Sequence, residues 1–178
     1  MDRQSFHVAD EATLETTLDR IAAEVLARAG SDVHLVGIRR RGVPLAARLA
    51  GALRARVGRA YNVGELELKR YSDNLDILHQ RPRLVEHPLP FEVAGAHLLV
   101  VDDVLYTGRS LLQAVSHLER AGAGRISTVV LCRRDGLEVP IRADFVGWHL
   151  EVGPQGVIQV KTPPYDDQTA VWIVDKES

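Results

Sequence analysis

The chain has 178 residues, 46% of them hydrophobic and 26% charged, with 22 Lys and Arg against 24 Asp and Glu. Those proportions fit an ordinary globular protein of one domain over residues 1–178, and a net charge of −2 excludes a global basic field for nucleic acid. A single cysteine, Cys132, excludes an internal disulfide and any thiolate cluster for zinc or iron–sulfur binding.

Residues 1–9 are polar and lack the apolar core of a secretory signal. No run of about 18 apolar residues occurs later, so the expected location is cytoplasmic, with no membrane partner. Residues 11–29 are predicted to form an amphipathic helix. Leu14, Leu18, Ile21, Ala22, Val25 and Leu26 share one face, Asp10 can cap its start, and Gly30 can end it. Val33 to Ile38 is a short apolar run typical of a buried strand. It leads through Arg39-Arg40-Arg41-Gly42 into a second helix, with Pro44 in the first turn and Leu45, Leu49 and Leu53 on its apolar face.

A strand is expected over 63–71. Residues 72–95 are rich in Pro, Asp, Asn and His without periodicity, and a loop of that length is expected to be functional, as an active-site lid. Residues 97–101 should form an apolar strand that ends at Asp102 and Asp103. A turn at Tyr106-Thr107-Gly108 then opens a helix from Ser110 to Ala121. Further strands are predicted at 125–132, 143–147, 157–161 and 170–174, with Cys132 as a buried strand thiol. Strands alternating with helices imply an α/β fold with a mainly parallel sheet, and the strand-rich final third implies a small added lobe.

The order strand, acidic pair, small-residue turn, helix carries the chemistry. Thr107, Gly108, Arg109 and Ser110 lie where a helix begins, and backbone N–H groups without helical partners there point at an anion. Gly108 allows close backbone approach, and the two hydroxyls add donors. Asp102 and Asp103 sit at the carboxyl end of a strand, the edge at which ligands of open α/β sheets bind. Carboxylates there can accept from sugar hydroxyls and help hold a metal carried by them. A phosphate cradle beside two carboxylates suits a ribose 5-phosphate. The spacing is neither a P-loop nor Gly-x-Gly-x-x-Gly. The seven histidines show no metal-ligand spacing.

The string Val100-Val101-Asp102-Asp103-Val104-Leu105-Tyr106-Thr107-Gly108-Arg109-Ser110 resembles the PRPP-binding signature of type I phosphoribosyltransferases, PRPP being 5-phosphoribosyl 1-diphosphate. Within that superfamily the chain is similar to the PyrR family of pyrimidine operon regulators with uracil phosphoribosyltransferase activity. The likeness is carried by Leu35 to Ala46, Val63 to Leu66, Tyr71 to Leu75, Asp102 to Arg109 and Glu138 to Gly147.

The resemblance implies the type I phosphoribosyltransferase fold, a parallel sheet flanked by helices with a hood of extra strands. It implies PRPP binding by Arg40, Arg41, Gly42, Asp102, Asp103, Tyr106, Thr107, Gly108, Arg109 and Ser110. Arg41, Asp102 and Asp103 are the expected catalytic residues. Mg²⁺ is the expected cofactor, reached indirectly by Asp102 and Asp103 through the ribose. Arg134, Phe145 and Val146 are the expected base contacts. A homodimer or higher homo-oligomer is implied as well.

Tyr106 stands where purine-salvage relatives usually carry an aspartate, so it favours a pyrimidine, uracil, as acceptor. A purine phosphoribosyltransferase remains the alternative, because Arg133 takes a strand-end position where purine enzymes place a lysine. A regulator that binds pyrimidine-operon RNA is the other alternative. The residues that would bind RNA are altered: Asp19 and Ala23 in the first helix, Gly136 and Leu137 after the strand, and Trp148, while Arg20 and Arg142 are kept. RNA affinity depends on phosphate neutralisation, so these departures are expected to weaken it. Trp148 and Trp172 read equally as core or as an oligomer contact.

Overall fold

The computed structural model describes residues 5–69, 83–85 and 88–175. In chain order the elements are β1 (Ser5–Asp10), α1 (Glu11–Arg28), β2 (His34–Ile38), α2 (Gly42–Val57), β3 (Val63–Lys69), β4 (Arg83–Val85), β5 (His97–Leu105), α3 (Arg109–Arg120), β6 (Arg125–Arg133), β7 (Phe145–His149), β8 (Gly156–Lys161) and β9 (Ala170–Asp175). The main sheet has the order β4-β3-β2-β5-β6-β7, and the smaller one β1-β9-β8. The five strands from β3 to β7 run parallel, β4 adds antiparallel to β3, and the small sheet is antiparallel throughout. This is the type I phosphoribosyltransferase arrangement.

Parallel strands covered on both faces alternate between two apolar layers. Leu35, Leu99, Val101, Val129 and Leu131 face one side, where Leu14, Leu18, Ile21 and Val25 of α1 and Leu45, Leu49 and Leu53 of α2 cover them. Val36, Leu98, Val100 and Val130 face the other side, against Leu111, Ala114 and Leu118 of α3. Each fully buried leucine contributes about 1.5–3 kcal/mol relative to exposure. Ile158, Val160 and Val171 of the small sheet join the first layer, so the hood and the main sheet share one core.

The sequence signals hold locally. Asp10 caps α1, its Oδ1 accepting from the Thr13 N–H at 2.9 Å, and Gly30 follows the helix end at a positive φ of 82°. Pro44 falls in the first turn of α2.

Four expectations change. The N-terminal segment is a strand, β1, pairing antiparallel with β9; its polar sequence concealed this because its residues are largely exposed apart from Ala9. The acidic strand does not stop at Val101: β5 continues through both aspartates to Leu105, held by pairing to β6 as far as Arg133. β7 begins two residues later than expected, at Phe145. The proposed 72–95 lid falls mostly outside the described residues, but its last part is docked. Leu89, Phe91 and Val93 pack on the second core layer, and Phe91 stacks on His34 at 4.5 Å. Trp148 packs against the first core layer, and Trp172 lies against His7 in the hood. No helix among the described residues is long and apolar enough to cross a membrane.

Cys132 is fully buried on β6, and burial pushes its thiol well above the ordinary range. A thiol-specific reagent should modify the native protein on the order of 100-fold or more slowly than the urea-unfolded chain. Equal rates by absorbance would contradict the packing of β6.

Candidate PRPP and nucleobase site

The chain leaves β2 toward β3 on one side and β5 toward β6 on the other, and β2 and β5 are neighbours. Their carboxyl ends therefore form a topological switch point, the crevice where open α/β sheets bind ligands. The arginine turn follows β2 and the aspartate pair ends β5, so the topology alone brings residues 39–42 beside residues 102–103.

Two glycines make the approach close enough. A Cβ on Gly42 would lie 2.5 Å from the Val101 carbonyl oxygen, and one on Gly37 would lie 2.5 Å from Val43 Cα. Both obstacles are backbone and cannot swing aside. The Arg39–Arg40 peptide is cis. Arg40 is exposed, whereas Arg41 is half-buried and carries a bidentate ion pair. Its Nε and one terminal nitrogen donate to Asp166 Oδ2 and Oδ1, each at 3.1 Å. The Arg41 charge also feels Asp103, which with Asp166 raises its pKa further. Arg39 pairs with Glu67 at 3.0 Å and Glu65 at 3.9 Å.

Asp102 and Asp103 are both half-buried. Each accepts from the next backbone N–H, Asp103 N to Asp102 Oδ1 and Val104 N to Asp103 Oδ1, both at 2.9 Å. These bonds fix the carboxylates at the sheet edge. Among the described residues, no group of three His, Cys, Asp or Glu could enclose a metal. Oxygen donors of this kind are compatible with a Mg²⁺ carried by ligand hydroxyls, which the pair would reach only through the ligand.

Past β5, Gly108 takes a left-handed φ of 83° as the N-cap of α3 and offers no side chain; Thr107 Oγ1 accepts only at 3.5 Å from the Arg109 N–H, leaving the other first-turn N–H groups without a capping side chain. A cleft of about 370 Å³ opens at this uncapped end, lined by Asp102, Tyr106, Thr107, Gly108, Ser110 and Gln113 among others. The opposite side of Gly108 is closed by Ile141, Val139 and Leu137, which a Cβ would strike. Arg109 projects from the surface, where its Nε donates to Glu138 at 2.8 Å. Its backbone, rather than its guanidinium, faces the expected phosphate position.

Tyr106 is 40% exposed and held from both sides. The Arg134 guanidinium carbon lies 4.2 Å from its ring centroid, and a Cβ on Gly136 would come within 2.3 Å of the ring. Arg134 is 6% exposed and donates to the Gly156 carbonyl at 2.6 Å, with longer contacts to Val152 and Gly153. It therefore stands behind Tyr106, committed to hood carbonyls, and not at a free base edge. Phe145 is 2% exposed in the first core layer with Arg28 over its ring. Its side chain, expected at the base, is core. Val146 is half-buried against the second core layer, and its carbonyl accepts from Arg20.

Sequence reasoning missed Asp166. Pro163-Pro164-Tyr165-Asp166-Asp167 between two apolar strands signals a turn, but spacing does not say which distant loop it reaches. Leu68 and Gln113, also at the cleft, carried no signal.

A family model for the phosphoribosyl transferase domain matches residues 8–165. The chain belongs to the phosphoribosyltransferase family. More particularly, its relatives include proteins named bifunctional protein PyrR. That of Pelotomaculum thermopropionicum is 36% identical over 178 residues, covering 98% of both chains. That of Chloroflexus aurantiacus is 44% identical over 169 residues, covering 93% of this chain and 92% of the relative. Among solved structures, hypoxanthine phosphoribosyltransferase of Trypanosoma cruzi superposes with a TM-score of 0.76 at 17% identity, over 96% of this chain and 97% of that one. At that identity the likeness is one of fold.

Two substitutions check the geometry. Gly42→Ala should push the arginine turn off β5 and lower the thermal midpoint, and an unshifted melt would contradict the contact with Val101. Arg134→Met should cost about 1–3 kcal/mol in urea unfolding, because it strands buried carbonyls; no loss would mean those bonds are not made in solution.

Proposed function

We propose that the protein transfers the phosphoribosyl group of PRPP to a nucleobase, with uracil preferred, giving UMP and pyrophosphate. The observation that carries this reading is the meeting of three features at one sheet edge: the aspartate pair, the uncapped start of α3 and the arginine turn.

The uncapped α3 end and the Thr107 and Ser110 hydroxyls suit the 5-phosphate, since helix N-termini attract anions. Asp102 and Asp103 suit the two ribose hydroxyls, fixing the sugar so that its C1 faces the acceptor. Arg40 and Arg41 suit the diphosphate; a guanidinium binds such oxygens with charge-assisted, bidentate geometry. As the C1–diphosphate bond lengthens, Arg41 offsets charge accumulating on the leaving group, and the carboxylates face a ribose that gains positive character. Mg²⁺, when bound by PRPP oxygens beside Asp102 and Asp103, would supply further charge neutralisation on the diphosphate. The base approaches past Tyr106. A tyrosine there offers a flat apolar wall with a hydroxyl and no carboxylate to serve as a base, which fits a pyrimidine better than a purine. We read the chain as one phosphoribosyltransferase domain, and as an oligomer by likeness to its family.

One observation favours a purine acceptor. Arg133 ends β6 at the same edge, and its Nε is buried without a hydrogen-bond partner. RNA attenuation is left out of the reading. Arg20, one of the two cations kept for it, is engaged by Glu24 and by the carbonyls of Val146 and Gly147.

Purified protein with PRPP and Mg²⁺ should convert uracil to UMP with release of pyrophosphate, at a kcat/KM above that for hypoxanthine. The reverse order would select the purine reading. No turnover with uracil, hypoxanthine, guanine, xanthine or orotate would overturn the proposal.

A further inference from the structure

The turn between β8 and β9 reaches from the hood to the arginine turn, where Asp166 forms the bidentate pair with Arg41. Asp166 is itself held: its Oδ2 accepts from the Thr162 N–H at 2.9 Å, its own N–H donates to the Thr162 carbonyl at 3.2 Å, and Thr162 is fully buried. The Asp166 side chain is 16% exposed, against 36% for Arg41. The carboxylate is thus the fixed partner and the guanidinium the adjustable one.

The pair is side-on. It occupies Nε and one terminal nitrogen, and leaves the end of the fork with its remaining N–H donors. Gly42, the next residue, abuts the Val101 carbonyl just before the aspartate pair, so the turn that carries Arg41 lies against the aspartate edge.

We propose that Asp166 is a positioning residue for Arg41: it holds the guanidinium in the orientation that presents its free edge to the diphosphate of PRPP. This rests on the PRPP reading above. A long arginine loses about 2 kcal/mol of rotamer freedom when fixed, and a partner that fixes it beforehand removes that cost from binding. The opposite role, in which Asp166 competes with the diphosphate for Arg41, predicts a change of opposite sign.

The test is Asp166→Asn in the full chain, with steady-state kinetics and inhibition by inorganic pyrophosphate. The KM for PRPP and the Ki for pyrophosphate should each rise about tenfold, the size expected for losing one charge-assisted contact. The KM for the base should stay within about twofold, a split that general loosening of the fold would not give. In an Arg41→Ala background, Asp166→Asn should add little, since it acts through Arg41. Unchanged or tighter pyrophosphate inhibition, or full additivity with Arg41→Ala, overturns the inference while the PRPP reading stands. A wild-type protein without turnover removes both. If Asp166→Asn does not fold, Asp166→Glu carries the test: the carboxylate moves by one methylene, the KM for PRPP should still rise, and an unchanged KM overturns the inference.

Discussion

The contact between the backbone of Gly42 and the carbonyl of Val101 governs the geometry of the site. It is the point at which the turn after β2 lies against the end of β5, with room for a hydrogen and not a methyl group. Everything the cleft needs follows from that approach. The arginines of one loop and the aspartates of the other carry opposite charge, and they can act on one ligand only if their backbones nearly touch. In this topology they do, because β2 and β5 are adjacent while their following helices lie on opposite faces. The sheet supplies the rigidity. Both strands are buried on both faces, so neither loop can withdraw without exposing leucine and valine side chains to water.

The arginines around this sheet edge are held in place by carboxylates that do not themselves crowd it. Arg39, Arg41 and Arg109 each have an acidic partner, and in each pair the acid comes from outside the two ligand-facing loops: Glu65 and Glu67 from β3, Asp166 from the hood, Glu138 from the segment after β6. These pairs are partly exposed, so their contribution to stability is small. Their value lies in orientation. The hydrogen-bonded Arg41 guanidinium beside Asp166 holds its carboxyl below the usual carboxylate range. Its folded-state pKa is depressed, so the pair stabilises the fold above the ordinary aspartate pKa and loses that contribution as pH falls through the lowered value.

Much of this was legible in the sequence because it is local. A strand, two aspartates and a glycine-bearing helix entry are consecutive residues, and period and capping rules read them directly; the same rules gave α1 with Asp10 at its start. What stayed hidden is non-local. β1 is a polar edge strand whose partner, β9, is more than 150 residues away, and its outward residues, Phe6 among them, give no amphipathic signal. Phe145 reads equally as a base contact or as core, since an aromatic beside a strand start looks the same in either role; only its burial under Arg28 decides. Arg134 is similar. A basic residue after a strand reads as a ligand contact, and its real partners are three carbonyls near residue 154, which spacing cannot reveal.

Those hidden contacts share a source. The terminal nitrogens of Arg134 donate to carbonyls at the entry to β8, and Arg41 donates to a carboxylate in the turn that leaves it. One stands behind Tyr106, and the other lies in the arginine turn. The hood is therefore more than a cover: a single hairpin, β8 and its two flanking turns, holds both arginines. The two attachments are chemically different. Arg134 is buried with neutral acceptors, so salt screens its hold on Tyr106 little. The Arg41–Asp166 pair is partly open to solvent, so it is screened by salt and can yield to a stronger anion. The hood thus holds Tyr106 through a buried cation with neutral acceptors and Arg41 through a partly exposed ion pair, so the first attachment is the stiff one and the second the adjustable one.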